Sequence, residues 1–188
     1  LYADCGQIEE AAALLRDVLD VRMRTLGEMH RDTLSSQHSL GILLSRQDDR
    51  SDQEAAEQLL RQASNGREQV LGPAHPDTLG STCDLGSVLV RMGSVDDGEI
   101  LLRKAYRESV KTLDTRHPDT QLCAQHLGLL LQDQGNALAH DPELALKKLV
   151  EASALLHVAF PVDHPAHSHA LRCEEMTKGC RAYVQSLR

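Results

Sequence analysis

Apolar residues recur along this chain at intervals of three and four. Between 32 and 47 they are Leu34, Leu40, Ile42, Leu43 and Leu44; between 118 and 134 they are Leu122, Leu127, Leu129, Leu130 and Leu131. Intervening segments keep the rhythm with Ala56, Leu59, Leu60 and Ala63, with Ile100, Leu101, Leu102 and Ala105, and with Leu146, Leu149 and Ala152. That spacing lays side chains on one face of a helix, whereas a half-buried strand would alternate. No alternating stretch persists. The pattern predicts nine helices, the first cut short, at about 1–5, 7–26, 32–47, 52–70, 76–92, 95–112, 118–134, 141–159 and 165–187.

The helices come in a repeating order. "LGEMHRDTLSSQHSLGILL" (26–44), "LGPAHPDTLGSTCDLGSVL" (71–89) and "LDTRHPDTQLCAQHLGLLL" (113–131) share one frame, anchored on His30, His75 and His117, with His164 as a fourth anchor. The anchors are 45, 42 and 47 residues apart, and after each of the first three stand Asp-Thr and then Leu-Gly. A second half-motif accompanies each: "EEAAALLRDVL", "EAAEQLLRQAS", "DDGEILLRKAY" and "ELALKKLVEAS". A period of this length signals stacked helix pairs, each too small to bury its apolar face alone. The frame divides the chain into a partial repeat (about 1–29), three repeats (30–74, 75–116 and 117–163) and a capping helix (164–188), one continuous solenoid over 1–188. The opening residues align with the second half of a first helix, so a piece of a longer chain is expected.

Helix boundaries have local causes. Pro76, Pro118 and Pro142 suit the first turn, where their missing N–H has no intrahelical partner. Asp32, Asp77 and Asp119 are expected to supply an acceptor and a negative charge at the positive helix end. Gly6, Gly93 and Gly135 are expected to end helices in the left-handed conformation. Gly41, Gly86 and Gly128 occupy one aligned position inside the first helices, opposite the aligned small residues Ala11, Ala56, Gly98 and Ala145 on the second. Small residues at facing positions allow close backbone approach, which offsets the propensity cost of a helical glycine, about 1 kcal/mol.

The Leu-Gly pair, with alanines such as Ala56 and Ala63 on the second helix, resembles the tetratricopeptide repeat. The long period and the linker words His75-Pro76-Asp77-Thr78 and His117-Pro118-Asp119-Thr120 resemble more specifically the repeats of kinesin light chains. The resemblance covers nearly the whole chain. It implies an all-α, right-handed α-solenoid of antiparallel helix pairs with a C-terminal capping helix. It also implies a concave face, lined by the first helices, that holds a peptide. At the position before Leu-Gly, where the family often carries an asparagine that grips peptide backbone, this chain has Ser39, Asp84 and His126. The inferred groove positions are His38, Ser39, Ile42, Ser45 and Arg46; Cys83, Asp84, Ser87, Val90 and Arg91; and Gln125, His126, Leu129, Gln132 and Asp133. Arg46 and Arg91 align as a two-step basic ladder for a carboxylate-bearing partner, which Asp133 interrupts.

Composition narrows the classes. Apolar content of 41% with 26% charged residues is that of a folded chain. A formal net charge of −8 disfavours nucleic acid or anionic lipid as the main partner, and no apolar run has the length of a membrane span. Five scattered cysteines read as reduced thiols and point to the cytoplasm or another reducing compartment. "HPAHSHALRC" (164–173) hints at metal through His164, His167, His169 and Cys173. His164 belongs to the repeat, however, and Cys173 and Cys180 share an apolar stripe with Ala170, Met176, Tyr183, Val184 and Leu187. No phosphate loop, nucleophile elbow or His-Glu-x-x-His motif occurs. The sequence therefore points to a non-catalytic scaffold, with no metal or cofactor, that binds a partner protein or peptide within a larger complex. The alternative is a structural subunit packed through its ends (Tyr2 and Ile8; Tyr183 and Leu187) without gripping a peptide.

Overall fold

The linker histidine starts the first helix of each pair, and one hydrogen bond explains why. The computed structural model describes residues 2–138 and 140–187, with side chains from Ile8 onward. These residues form eight α-helices: α1 (Tyr2–Leu26), α2 (Arg31–Leu44), α3 (Arg50–Leu71), α4 (Pro76–Arg91), α5 (Val95–Leu113), α6 (Pro118–Ala137), α7 (Pro142–Ala159) and α8 (His167–Ser186). His30, His75 and His117 have extended backbones (ψ 141°, 139° and 136°) and cap α2, α4 and α6. In each case the backbone N–H of the aspartate two residues on donates to the histidine Nδ1, at 3.2 Å. The expectation that Asp32, Asp77 and Asp119 supply this acceptor is corrected. They stand inside the first turn, too far along to reach back, and contribute only charge near the helix end. Replacing His75 with alanine is expected to cost about 1 kcal/mol in a urea melt, and asparagine there to restore most of it.

The preceding turn is set by backbone sign. Gly27 and Gly72 have φ of 89° and 91°, and Asp114 holds the aligned position at φ 71°. Asp114 adopts that left-handed conformation while its carboxylate accepts from the Arg116 N–H at 2.6 Å, a local bond that asparagine and aspartate use to tolerate it. The fourth linker has Pro161 instead, whose ring forbids positive φ. There the Ala166 N–H still donates to His164 Nδ1, at 3.0 Å, but α8 begins only at His167.

Two of the three expected glycine stops are corrected. Of these three, only Gly93 ends a helix with positive φ, 90°; the Ser94 N–H bonds back to Leu89 O and the Gly93 N–H to Val90 O, closing the turn. Gly6 lies within α1, so the two predicted N-terminal helices are one. An interior glycine costs about 1 kcal/mol, too little to break a helix without such bonds. Gly135 is likewise helical, within α6.

The helices group into two compact units, Leu1–Leu101 and Leu102–Arg188, with the boundary inside α5; the sequence pattern predicts one. In the first unit Leu40 and Leu44 of α2 pack with Ala12 and Leu19 of α1 and Ala56 of α3. Leu60 of α3 packs with Leu85, Val88 and Leu89 of α4. A Cβ on Gly41 would lie 2.8 Å from Leu60 Cγ and 3.3 Å from Ala56 O, and one on Gly98 only 2.7 Å from Gly86 O. In the second unit the register differs. Gly128 faces Leu155 and Leu156, while a Cβ on Gly135 would lie 3.3 Å from Ala145 O and 2.8 Å from Leu149 Cγ. The predicted pairing of Gly128 with Ala145 is corrected, because α6 runs on past Gly128. Seven further residues are two turns, about 10 Å, so the helix presents the same face to a partner that has slipped along it.

Candidate partner-binding site

The first helices α2 and α4 are neighbours in the first unit, and their facing residues make a polar seam. His38 on α2 and Asp84 on α4 are 2.9 Å apart, Nε2 to Oδ2. A carboxylate only accepts, so Nε2–H of His38 donates. Asp84, at the family's asparagine position, is thereby tied to its neighbour.

Behind this seam lies a residue the sequence pattern did not single out. Arg67 of α3 is buried, with 8% of its surface exposed. Its Nη1 donates to Ser81 Oγ at 2.6 Å and to Asp77 O at 3.1 Å, and its Nη2 donates to Ser35 Oγ at 3.2 Å. One guanidinium therefore joins the end of α3 to the starts of α2 and α4. Burial lowers its pKa, while Asp77 and Asp84 pull it back up. Arg22 of α1 repeats the clamp, donating to Asp32 O at 2.9 Å and Ser36 Oγ at 2.7 Å. The signal was in the frame: Arg22 and Arg67, and Ser36 and Ser81, are each one repeat apart. In the next repeat both partners change, to Ser109 and Cys123. Ser109 Oγ is buried without a hydrogen-bond partner, as are Thr33, Thr78 and Thr120 Oγ1 of the linker motif.

The predicted groove residues divide by exposure. Ser39, Arg46 and Arg91 are exposed; His38, Asp84, Ser87, Gln125, His126 and Leu129 are half-buried. Cys83 is fully buried, which corrects its placement on a binding surface; it stands one turn beyond Leu79, on the core stripe. Ile42 is half-buried and packs against the Leu60–Leu85–Val88–Leu89 cluster. Arg46 and Arg91 line one cleft of about 130 Å³ with Ser45, Gln47, Asp48, Gln53, Val88 and Met92. Among the described residues neither arginine has an ion-pair partner.

At the C-terminal end, Cys173 is buried and its thiol pKa is pushed up by that burial. The Cys173 thiol points to Leu149 O at 3.8 Å, and His167 Nδ1 lies 2.8 Å from Phe160 O. Among the described residues no group of three or more His, Cys, Asp or Glu is arranged to hold a metal ion. Tyr183 and Leu187 are exposed and Ile8 is half-buried, while the Tyr2 side chain lies outside the described residues. No helix among the described residues is long and apolar enough to cross a membrane.

A tetratricopeptide-repeat family model matches residues 1–32 and 33–77, the stretch in which the histidine caps and arginine clamps recur. Residues 1–77 match tetratricopeptide repeats. A solved structure of the nearly identical TPR-like repeats of a kinesin light chain candidate from Podosopora anserina is similar over 98% of this chain and 92% of that one, with a TM-score of 0.68 and 23% identity. A solved variant of the same protein gives a TM-score of 0.69 at the same identity and coverage. BtubC (BKLC) from P. vanneervenii is similar over 97% of this chain and 76% of that one, with a TM-score of 0.59 and 15% identity. No curated protein matches the sequence. These likenesses show the fold: an all-α TPR-like solenoid of helix pairs. TPR repeats of this architecture support protein interaction in general.

Proposed function

We propose that this TPR chain is a non-catalytic scaffold whose α2–α4 face binds an acidic segment of a partner protein. The observation that carries this reading is the pair Arg46 and Arg91. Two exposed guanidiniums, Arg46 in the turn after α2 and Arg91 at the end of α4, share a cleft without an ion-pair partner, on a chain of net charge −8. Positive groups left unpaired on an acidic molecule favour a carboxylate ligand, and the planar guanidinium can take it in two parallel bonds. Ser39 and Ser87 flank the seam with hydroxyls, whereas Asp84, held by His38, repels a second carboxylate from the middle. That directs acid groups of the partner to the arginine end. The buried thiols fit a reducing compartment.

A structural subunit is the second reading, favoured by Tyr183 and Leu187, which are 55% and 60% exposed at the end of the last helix. The two separate cleanly in a pull-down of the natural partner. Under the first reading, Arg46→Glu with Arg91→Glu weakens capture by more than about 1 kcal/mol, and the loss shrinks as salt screens the contacts. Under the second, that double change leaves capture intact and Tyr183→Ser with Leu187→Ser abolishes it.

A further inference from the structure

The first repeat departs from the frame at one buried position. The residue seven places after the linker histidine is Gln37 in α2, Thr82 in α4 and Ala124 in α6. Thr82 Oγ1 is satisfied, with Ser64 Oγ at 3.1 Å and Thr78 O at 2.9 Å, and an alanine side chain needs no partner. Gln37 is 5% exposed. Its Nε2 donates to Gln62 Oε1 at 3.3 Å, but its own Oε1 is buried without a hydrogen-bond partner, an arrangement that costs stability unless something donates to it. Gln37 lines a cleft of about 320 Å³ bordered by α1, the α1–α2 linker and α3. On the α3 wall stand three carboxamides on one helix face, Gln62, Asn65 and Gln69. The frame puts charges at those places on the neighbouring second helices: Lys104, Arg107 and Lys111 on α5, Asp17, Asp20 and Arg24 on α1. Opposite them are the thioethers of Met23 and Met29, and Glu28, which has no ion-pair partner among the described residues.

We infer that this cleft binds a small aromatic cation bearing N–H donors, of the amidine or aminated-heterocycle class, with its nitrogen end on Gln37 Oε1 and its ring against Met23 and Met29. An amide oxygen only accepts, so the unpaired Oε1 selects a donor. Glu28 is the one charged group lining the cleft, on a chain of net charge −8, and a lone carboxylate selects a cation over an anion. Methionine sulfur packs favourably at aromatic rings, and its flexible side chain adapts to their shape. The carboxamide oxygens along α3 can take further N–H groups without adding charge. The volume lies near the lower end of small-molecule sites, about 300–1,000 Å³, and the mixture of apolar wall and a few convergent polar groups is theirs as well. The cleft shares no residue with the one that holds Arg46 and Arg91.

The chain's 4 methionines make the test direct. The full chain, with isotope-labelled methionine methyls, is titrated with benzamidine and followed by NMR. Met23 and Met29 are expected to shift together along one binding curve. Met92, which lines the Arg46–Arg91 cleft, and Met176 are expected to stay in place. Gln37→Leu removes the acceptor and should weaken binding about tenfold, without lowering the melting temperature, since no buried oxygen is left unpaired. Glu28→Gln, at an exposed position that folding does not depend on, should weaken it about threefold. Benzamide, the neutral isostere, should bind less tightly than benzamidine. Static Met23 and Met29 signals at millimolar benzamidine overturn the proposal. So do equal shifts of all the methionine methyls, unchanged affinity in both variants, or benzamide binding as tightly as benzamidine. N-acetyl-arginine amide carries similar donors on a flexible chain, and tighter binding by it than by benzamidine overturns the assignment to an aromatic ligand.

Discussion

Gly98→Ala is expected to destabilise the protein by about 2 kcal/mol or more, although alanine is the better helix former. A Cβ at this position would lie 2.7 Å from Gly86 O and 3.0 Å from Val90 N, both backbone atoms that no rotamer change can move, and 2.6 Å from Val90 Cγ2. Relief requires α4 and α5 to separate along their contact, which loosens the packing on either side. The contrast is Gly80, helical within α4 but with nothing within 4 Å of the added carbon. Gly80→Ala is expected to raise stability by about 0.5–1 kcal/mol, through helix propensity and a less flexible unfolded chain. Thermal melts of the two variants should therefore move in opposite directions. A rise in both would show that α4 and α5 do not meet at Gly98.

Arg67→Ala is the second large effect, expected to cost about 3 kcal/mol, because it removes a buried cation and leaves a void among the acceptors it satisfied. Those acceptors are the hydroxyls of Ser35 and Ser81 and the carbonyl of Asp77. Arg67→Lys is expected to recover little, because an ammonium lacks the planar fork that reaches two helices at once. Arg67→Met fills the void but leaves the acceptors unpaired, and should fall between wild type and alanine. Arg22→Ala, at the half-buried copy of the clamp, should cost about 1 kcal/mol. Midpoints in urea at unchanged slope measure each loss. Equal losses at Arg22 and Arg67 would mean that burial adds nothing to the clamp.

Much of this architecture is legible in the chain itself. Threefold and fourfold apolar spacing specifies helices. The recurrence of His-x-Asp-Thr and Leu-Gly specifies pairs of them. Arg46 and Arg91 were visible as a ladder because the repeat aligns them, and the fold sets both on one cleft. These features depend on local spacing, and spacing survives in a linear string.

What the string concealed depends on which atoms meet. Histidine, aspartate and threonine in the linker all carry hydrogen-bonding groups; only the extended backbone at His75 decides that the ring caps the helix and that the aspartate merely lends charge. Gly93 and Gly135 read alike, yet one closes a turn with positive φ and the other admits Leu149 to the side of α6. Cys83 stands beside Asp84 in sequence, but one residue is a rotation of about 100° on a helix, enough to pass from core to seam. His38 finds Asp84 from 46 residues away. Periodicity determined the helices and their order. The register between them was decided only in three dimensions, because helices slide past one another by whole turns without changing the face they present.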